Sequence, residues 1–252
     1  MGLDLYAGTL TRYYGKNWKT ATQQWAEANG MTYQKIETTP PEEDDLSPED
    51  VCAIVSHWRD SLLEALAPSV GECVPWAEDN EADYFTVKPD WPAYGALLLY
   101  AAAKVYGEPY PATVAKDWDF AQEPLVRRAM EDPQLNWSLF KGAQWWLPLE
   151  HPLMLTGETP TGDRIPMASS AALLLELLRI NELGWKADED AVLAWERTEG
   201  YPADGEIRDG RLEEVTGHTE YSTVSLARYA YSLFWQSVKF SLQHKVPLLM
   251  DF

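Results

Sequence analysis

The sequence predicts an α+β fold, rich in helix, with a small mixed or antiparallel sheet. Three observations lead there. Apolar side chains recur at helical spacing in the long stretches 47–68, 92–106, 171–183 and 223–244. Short β-type runs such as Trp145–Leu149 and Leu153–Thr156 lie between clusters of turn-forming residues. Hydrophobic residues make up 46% of the 252, enough for a packed core rather than a disordered chain. The expectation is one domain spanning 1–252, with residues 1–40 a candidate N-terminal subdomain.

Gly2 to Tyr14 reads as a strand broken near Gly8. Asn17 then caps a helix carrying Trp18, Ala21, Trp25 and Ala28 on one stripe, and Gly30 stops it. Met31–Thr38 reads as a second strand, so the N-terminus fits a strand–helix–strand crossover. Ser47 opens the clearest helix. Pro48 stands at its first position, Glu49 and Asp50 suit the positive end of its dipole, and Pro68 closes it. Its apolar stripe is Val51, Ile54, Val55, Trp58, Leu62, Ala65 and Leu66. Tyr84–Val87 is a short strand, and Pro92–Tyr106 a helix apolar nearly all round, hence core. Pro124–Glu131 forms a short helix within a proline-rich region. The run 157–163 is dense in turn formers and joins two strands as a hairpin. Ser169 or Ser170 caps a buried helix ending at Gly184, and another helix runs from about Asp188 to Arg197. Residues 199–220 read as loop, and Thr223–His244 as the last helix.

Twenty Lys and Arg against forty Asp and Glu give a net charge of −20. Residues 36–87 hold fourteen acids and one base, Arg59, while residues 186–220 hold eleven acids and four bases. Binding to nucleic acid through its phosphates needs clustered cations and is disfavoured. The longest apolar run, Ala96–Ala103, is far short of the ~20 residues of a membrane span. No secretory or myristoylation pattern opens the chain, and the two cysteines, Cys52 and Cys73, read as reduced thiols. A cytoplasmic protein is expected.

Signatures of catalysis are missing. The four histidines form no zinc motif, and no Gly-x-Ser-x-Gly elbow, dinucleotide loop or Walker loop occurs. Glu150-His151 and the Gly217–Glu220 loop, with His218 and Glu220, are the nearest candidates. Solvent-exposed loop histidines are the plainer reading of both. Asp4, an acid inside an apolar strand, needs a partner, for which Arg12 or a backbone donor is expected. No cofactor and no metal are expected, because Glu42–Asp45 lack the alternating carboxylates and turn glycine of a calcium loop.

The acids and the twelve tryptophans remain to be explained. Trp145-Trp146 point to opposite faces if extended, and packing on both sides of a covered sheet accounts for them most simply. Acid-rich loops either keep the surface hydrated or form a docking face that steers a basic partner by long-range attraction. The function expected is therefore an acidic module that neutralises or regulates a basic partner protein, resembling an immunity protein against a toxin or nuclease in composition alone. The residues expected to bind are Glu42, Glu43, Asp44, Asp45, Glu78, Asp79 and Glu81, with Trp76 and Trp91 as anchors. The two loops flank a helix and would lie ~30 Å apart unless the fold brings them together. A hydrolase with a site near 145–168 and 217–220 is the alternative.

Overall fold

Leu3, Leu5 and Ala7 alternate with Asp4 and Tyr6, and this alternation builds strand β1 (Asp4–Ala7) with both faces buried. The computed structural model describes residues 2–32, 46–71, 73–202 and 218–252, with the backbone of 205–208 and 211–214. β1 pairs antiparallel with β2 (Phe85–Val87) on one side and with β10 (Leu248–Asp251) on the other. β10 pairs antiparallel with β4 (Trp145–Leu147), and β4 runs parallel to β6 (Arg164–Ser169). The hairpin of β5 (Met154–Glu158) and β6 completes a mixed six-stranded sheet in the order β2-β1-β10-β4-β6-β5.

Helices cover both faces. Leu5, Ala7, Trp146, Ala168, Leu248 and Met250 meet α4 (Asp90–Tyr106), α6 (Ser170–Leu183) and α8 (Thr223–His244) in the larger core. Tyr6, Trp145, Leu147, Met167 and Leu249 point the other way, against α1 (Leu10–Tyr14) and α3 (Pro48–Val70). Trp145 and Trp146 thus sit on opposite faces of a covered sheet, as alternation requires. Each large apolar side chain buried in these cores contributes ~1.5–3 kcal/mol. α2 (Ala21–Ala28) flanks the β2 edge, α5 (Pro124–Glu131) packs on α4, and α7 (Glu189–Thr198) packs on α8.

The sequence and the structure differ at several elements. The first strand stops at Ala7, because Thr9 accepts the Arg12 N–H and starts α1 where a strand was expected. The cap of α2 is Thr20 rather than Asn17: Thr20 and Gln23 exchange bonds in a capping box, and Asn17 donates instead to Asn80. α3 carries Pro68 in its last turn and ends at Gly71, whose φ of +81° suits glycine. Ile54 and Ala65 of its expected stripe face outward, while Leu63 is buried. The region expected as loop contains the paired strands β7 (Gly205–Arg208) and β8 (Arg211–Glu214). It ends in β9 (Glu220–Ser222), which pairs with β3 (Thr113–Ala115). Of the expected strand 31–38, Met31 and Thr32 are irregular and the rest lies outside the described residues. Asp4 finds Lys88, 3.9 Å away, rather than Arg12, because β2 is its neighbour in the sheet.

Candidate functional site

Ser47 fixes the start of α3 by accepting the Asp50 N–H, and the exposed carboxylates of Glu49 and Asp50 stand in that first turn. After Gly71 the chain turns back along the helix. Arg59, near its middle, donates to the Trp76 carbonyl, and Cys52, one turn from its start, donates through Sγ to the Glu78 carbonyl at 3.3 Å. Residues 76–78 are therefore laid beside the first half of α3, and Asp79 and Asn80 go on to Thr9 and Asn17. The loop therefore does not stay at the C-terminal end of α3, the placement from which a separation of ~30 Å was expected; Glu42–Asp45, the other loop, lie outside the described residues.

Two of the expected contact residues do the holding. Trp76 is only 3% exposed, and its Nε1 donates to Glu78 Oε1 at 2.8 Å. Its ring lies within 6.4 Å of Trp58, whose ring in turn meets Trp145 edge-on. Glu78 turns inward, and its Oε2 accepts the Thr11 N–H at 2.9 Å. Burial pushes the Glu78 carboxyl up from its ordinary range, while the Thr11 and Trp76 donors pull it back. Trp76 and Glu78 thus pin the loop to α1 and the sheet, which corrects their expected place on a contact surface.

Asp79 and Glu81 are exposed. Asp79 Oδ1 accepts the N–H groups of Glu81 and Ala82 and shapes the turn, and its carbonyl accepts the Thr9 hydroxyl at 2.6 Å. Asp83 is exposed as well. Glu42, Glu43, Asp44 and Asp45 lie outside the described residues. Trp91, the second expected anchor, belongs to α4 on the opposite face of the sheet from Trp76, packed among Tyr94, Phe120 and Phe252. The structure does not bring the two tryptophans together, since the strand between them crosses from one layer to the other. It does bring the first turns of α3 beside Glu78, through the Cys52 bond, and nothing in the spacing of 47–52 and 76–78 signals that. Positive charge borders the patch at Arg12, which donates to the Asn17 carbonyl and lies over the Tyr84 ring.

The regions considered for catalysis have other arrangements. Trp145 to Leu147 are buried in the sheet, and His151 is exposed in the turn between β4 and β5. His218 is exposed ahead of β9, in a separate two-stranded sheet. Among the described residues the most deeply set carboxylate is Glu176 of α6, which the sequence does not single out. It accepts the N–H groups of Ser138 and Leu139 and the Ser138 hydroxyl, while Ser138 Oγ accepts Trp146 Nε1 at 2.9 Å. Those bonds hold the 137–142 turn to the core and leave no face toward solvent. An open groove of about 530 Å³ runs past α5, lined by Pro124, Arg127, Arg128 and Glu131. Its cations are paired, Arg127 with Glu131 and Arg128 with Glu108.

Among the described residues no group of three or more His, Cys, Asp or Glu side chains is placed to hold a metal ion, and no helix is long and apolar enough to cross a membrane. No protein-family model, curated protein or solved structure matches the chain.

Proposed function

We propose that this chain is an acidic binding module for a basic protein, an immunity-type protein that neutralises or regulates its partner in the cytoplasm. The observation that carries the reading is the fold-back of residues 76–78 along α3. It brings the acid-rich stretch that begins at Glu78 back to the N-terminal turns of α3, where Glu49 and Asp50 are exposed, and Glu42–Asp45 precede those turns in sequence. Grouped like charges raise the local potential, speed encounters with a cationic surface and repel anionic ones. The loop is held from within by Trp76 and Glu78, so its carboxylates are presented on a fixed frame and little ordering accompanies binding.

The test begins with capture of the partner from the native host at low salt, followed by association kinetics of the purified pair. Glu49, Glu81 and Asp83 are exposed, and their carboxylates bond to no described residue. The triple variant Glu49→Gln, Glu81→Gln, Asp83→Asn should bind ~10-fold more slowly than wild type and lose much of the salt dependence of its on-rate. A partner without net positive charge, or an on-rate indifferent to salt and to these substitutions, refutes the proposal. A hydrolytic activity abolished at His151 or His218 would establish the enzyme reading in its place.

A further inference from the structure

We infer that one proton on Asp4 operates a clasp in the fold: it closes the corner where β1, β10 and the start of α4 meet, and its loss lets that corner open. The corner is built by the sheet register. Gly8 N–H donates to the Pro247 carbonyl at 3.0 Å, so even-numbered residues of β1 bond toward β10. Asp4 and Asp251 are therefore directly opposed and exchange main-chain bonds. Both side chains fall on the face of Tyr6 and Leu249, toward α1. On the other side of β1 the Asp90 N–H donates to the Leu3 carbonyl at 3.2 Å, where α4 begins.

Asp4 is only 9% exposed, and its Oδ1 is buried with no hydrogen-bond partner among the described residues. Its Oδ2 lies 3.9 Å from Lys88 Nζ, and that amine is shared, since Asp90 Oδ1 stands closer to it at 3.5 Å. Asp251 Oδ1 accepts the Tyr13 hydroxyl at 2.6 Å. The groups that face Asp4 are thus Lys88 after β2, Asp90 at the start of α4 and Asp251 in β10, with Tyr13 of α1 behind Asp251. Glu176 and Glu78 are buried too, but backbone N–H groups donate to both. Asp4 has instead two acidic neighbours and one distant amine, so ionising it leaves a buried charge poorly opposed. A proton removes that charge.

With Asp4 protonated, Lys88 serves Asp90, Tyr13 serves Asp251, and the corner stays shut over Leu3, which is fully buried. With Asp4 ionised, three carboxylates face one amine. Parting the end of β1 from β10 and α4 then lets water reach the Asp4 oxygens and relieves the repulsion. The opening stays local, because Tyr6, two residues along, is locked among the rings of Tyr13 and Trp18. Burial, opposed by Lys88, holds the closed-state pKa of Asp4 at about 6, against 3.8 for an ordinary aspartate. The proton therefore favours the closed corner at low pH, and that preference is lost as pH rises through about 6.

Hydrogen exchange of the wild-type protein at about pH 5 and pH 8, corrected for the intrinsic rate, reads the opening directly. Protection of the Asp4, Asp90 and Asp251 amides should fall ~10-fold between the two, and that of the Tyr6 and Leu249 amides by less. The carboxyl carbon of Asp4, followed by NMR, should titrate near pH 6. Asp4→Asn removes the titrating group, and its corner amides should be equally protected at both pH values. An Asp4 carboxyl that titrates near pH 4, or corner amides indifferent to pH, overturns the inference. A fall just as large at Tyr6 and Leu249, or one that persists undiminished in Asp4→Asn, does so too.

Discussion

At Glu176 a carboxylate has been taken out of water and given three protein donors instead. Burial outweighs those donors and pushes its pKa up to about 7, against 4.5 for an ordinary glutamate. Asp4 moves in the same direction, to about 6 from 3.8, through burial opposed by Lys88 and reinforced by Asp251, its partner across the ladder. A carboxyl whose folded pKa is raised favours the folded state fully below its unfolded pKa, and that contribution is lost as pH rises through the folded value. The chain should therefore lose stability between about pH 4.5 and 7, by on the order of a few kcal/mol, through these two groups. Urea unfolding at pH 5 and pH 7.5 measures the drop. Glu176→Ala should shrink that drop and cost ~2–4 kcal/mol at pH 5, since it strands the Ser138 and Leu139 N–H groups. A wild-type stability that climbs from pH 5 to 7.5 contradicts this account. Trp76 offers a second residue-scale check: Trp76→Ala removes a buried ring and the donor to Glu78 together, and should cost ~3–5 kcal/mol by the same unfolding measurement.

Individual elements show how local chemistry sets boundaries that periodicity leaves loose. The helices Pro124–Glu131 and Thr223–His244 have the limits their sequence predicts, because proline at the start of one and the Ser222 cap and apolar face of the other agree with the packing. Ser169 has two tasks: its Oγ accepts the Ala172 N–H, capping α6, and the Leu153 N–H at the entry to β5. Ser169→Ala should therefore lower stability by ~1–2 kcal/mol, more than an exposed cap of the same type. The β5–β6 hairpin turns at Gly162 with φ of +86°, a conformation that favours glycine. Gly162→Ala should cost ~1 kcal/mol in a thermal melt and leave the surface unchanged. β10 is the element the sequence hides. Its Leu-Leu-Met run is buried on both faces, so alternation gives no sign of a strand in the middle of the sheet.

For the whole molecule the governing quantity is the charge of −20. Self-repulsion opposes the compact state, and salt relieves it. The melting temperature should rise between about 20 mM and 0.5 M salt, and the Glu49→Gln, Glu81→Gln, Asp83→Asn variant should melt above wild type at the lower salt. Equal melting temperatures for the two proteins at low salt would mean that the gathered carboxylates exert no mutual repulsion.

The positions of α3 to α8, the 157–163 hairpin, the opposed tryptophans at 145 and 146 and the excess of acids in 36–87 all follow from the sequence, since each rests on local spacing or composition. The sheet order, the central place of β10 and the role of Lys88 beside Asp4 depend on contacts between residues far apart in the chain, which spacing does not encode. The inward turn of Trp76 and Glu78 belongs with them. A loop dense in acids reads as surface, yet one ring and one carboxylate within it supply the bonds that fasten the rest. Only the folded chain decides which acids face water, because burial is a property of neighbours that the sequence places far off, as Thr11 lies 67 residues before Glu78.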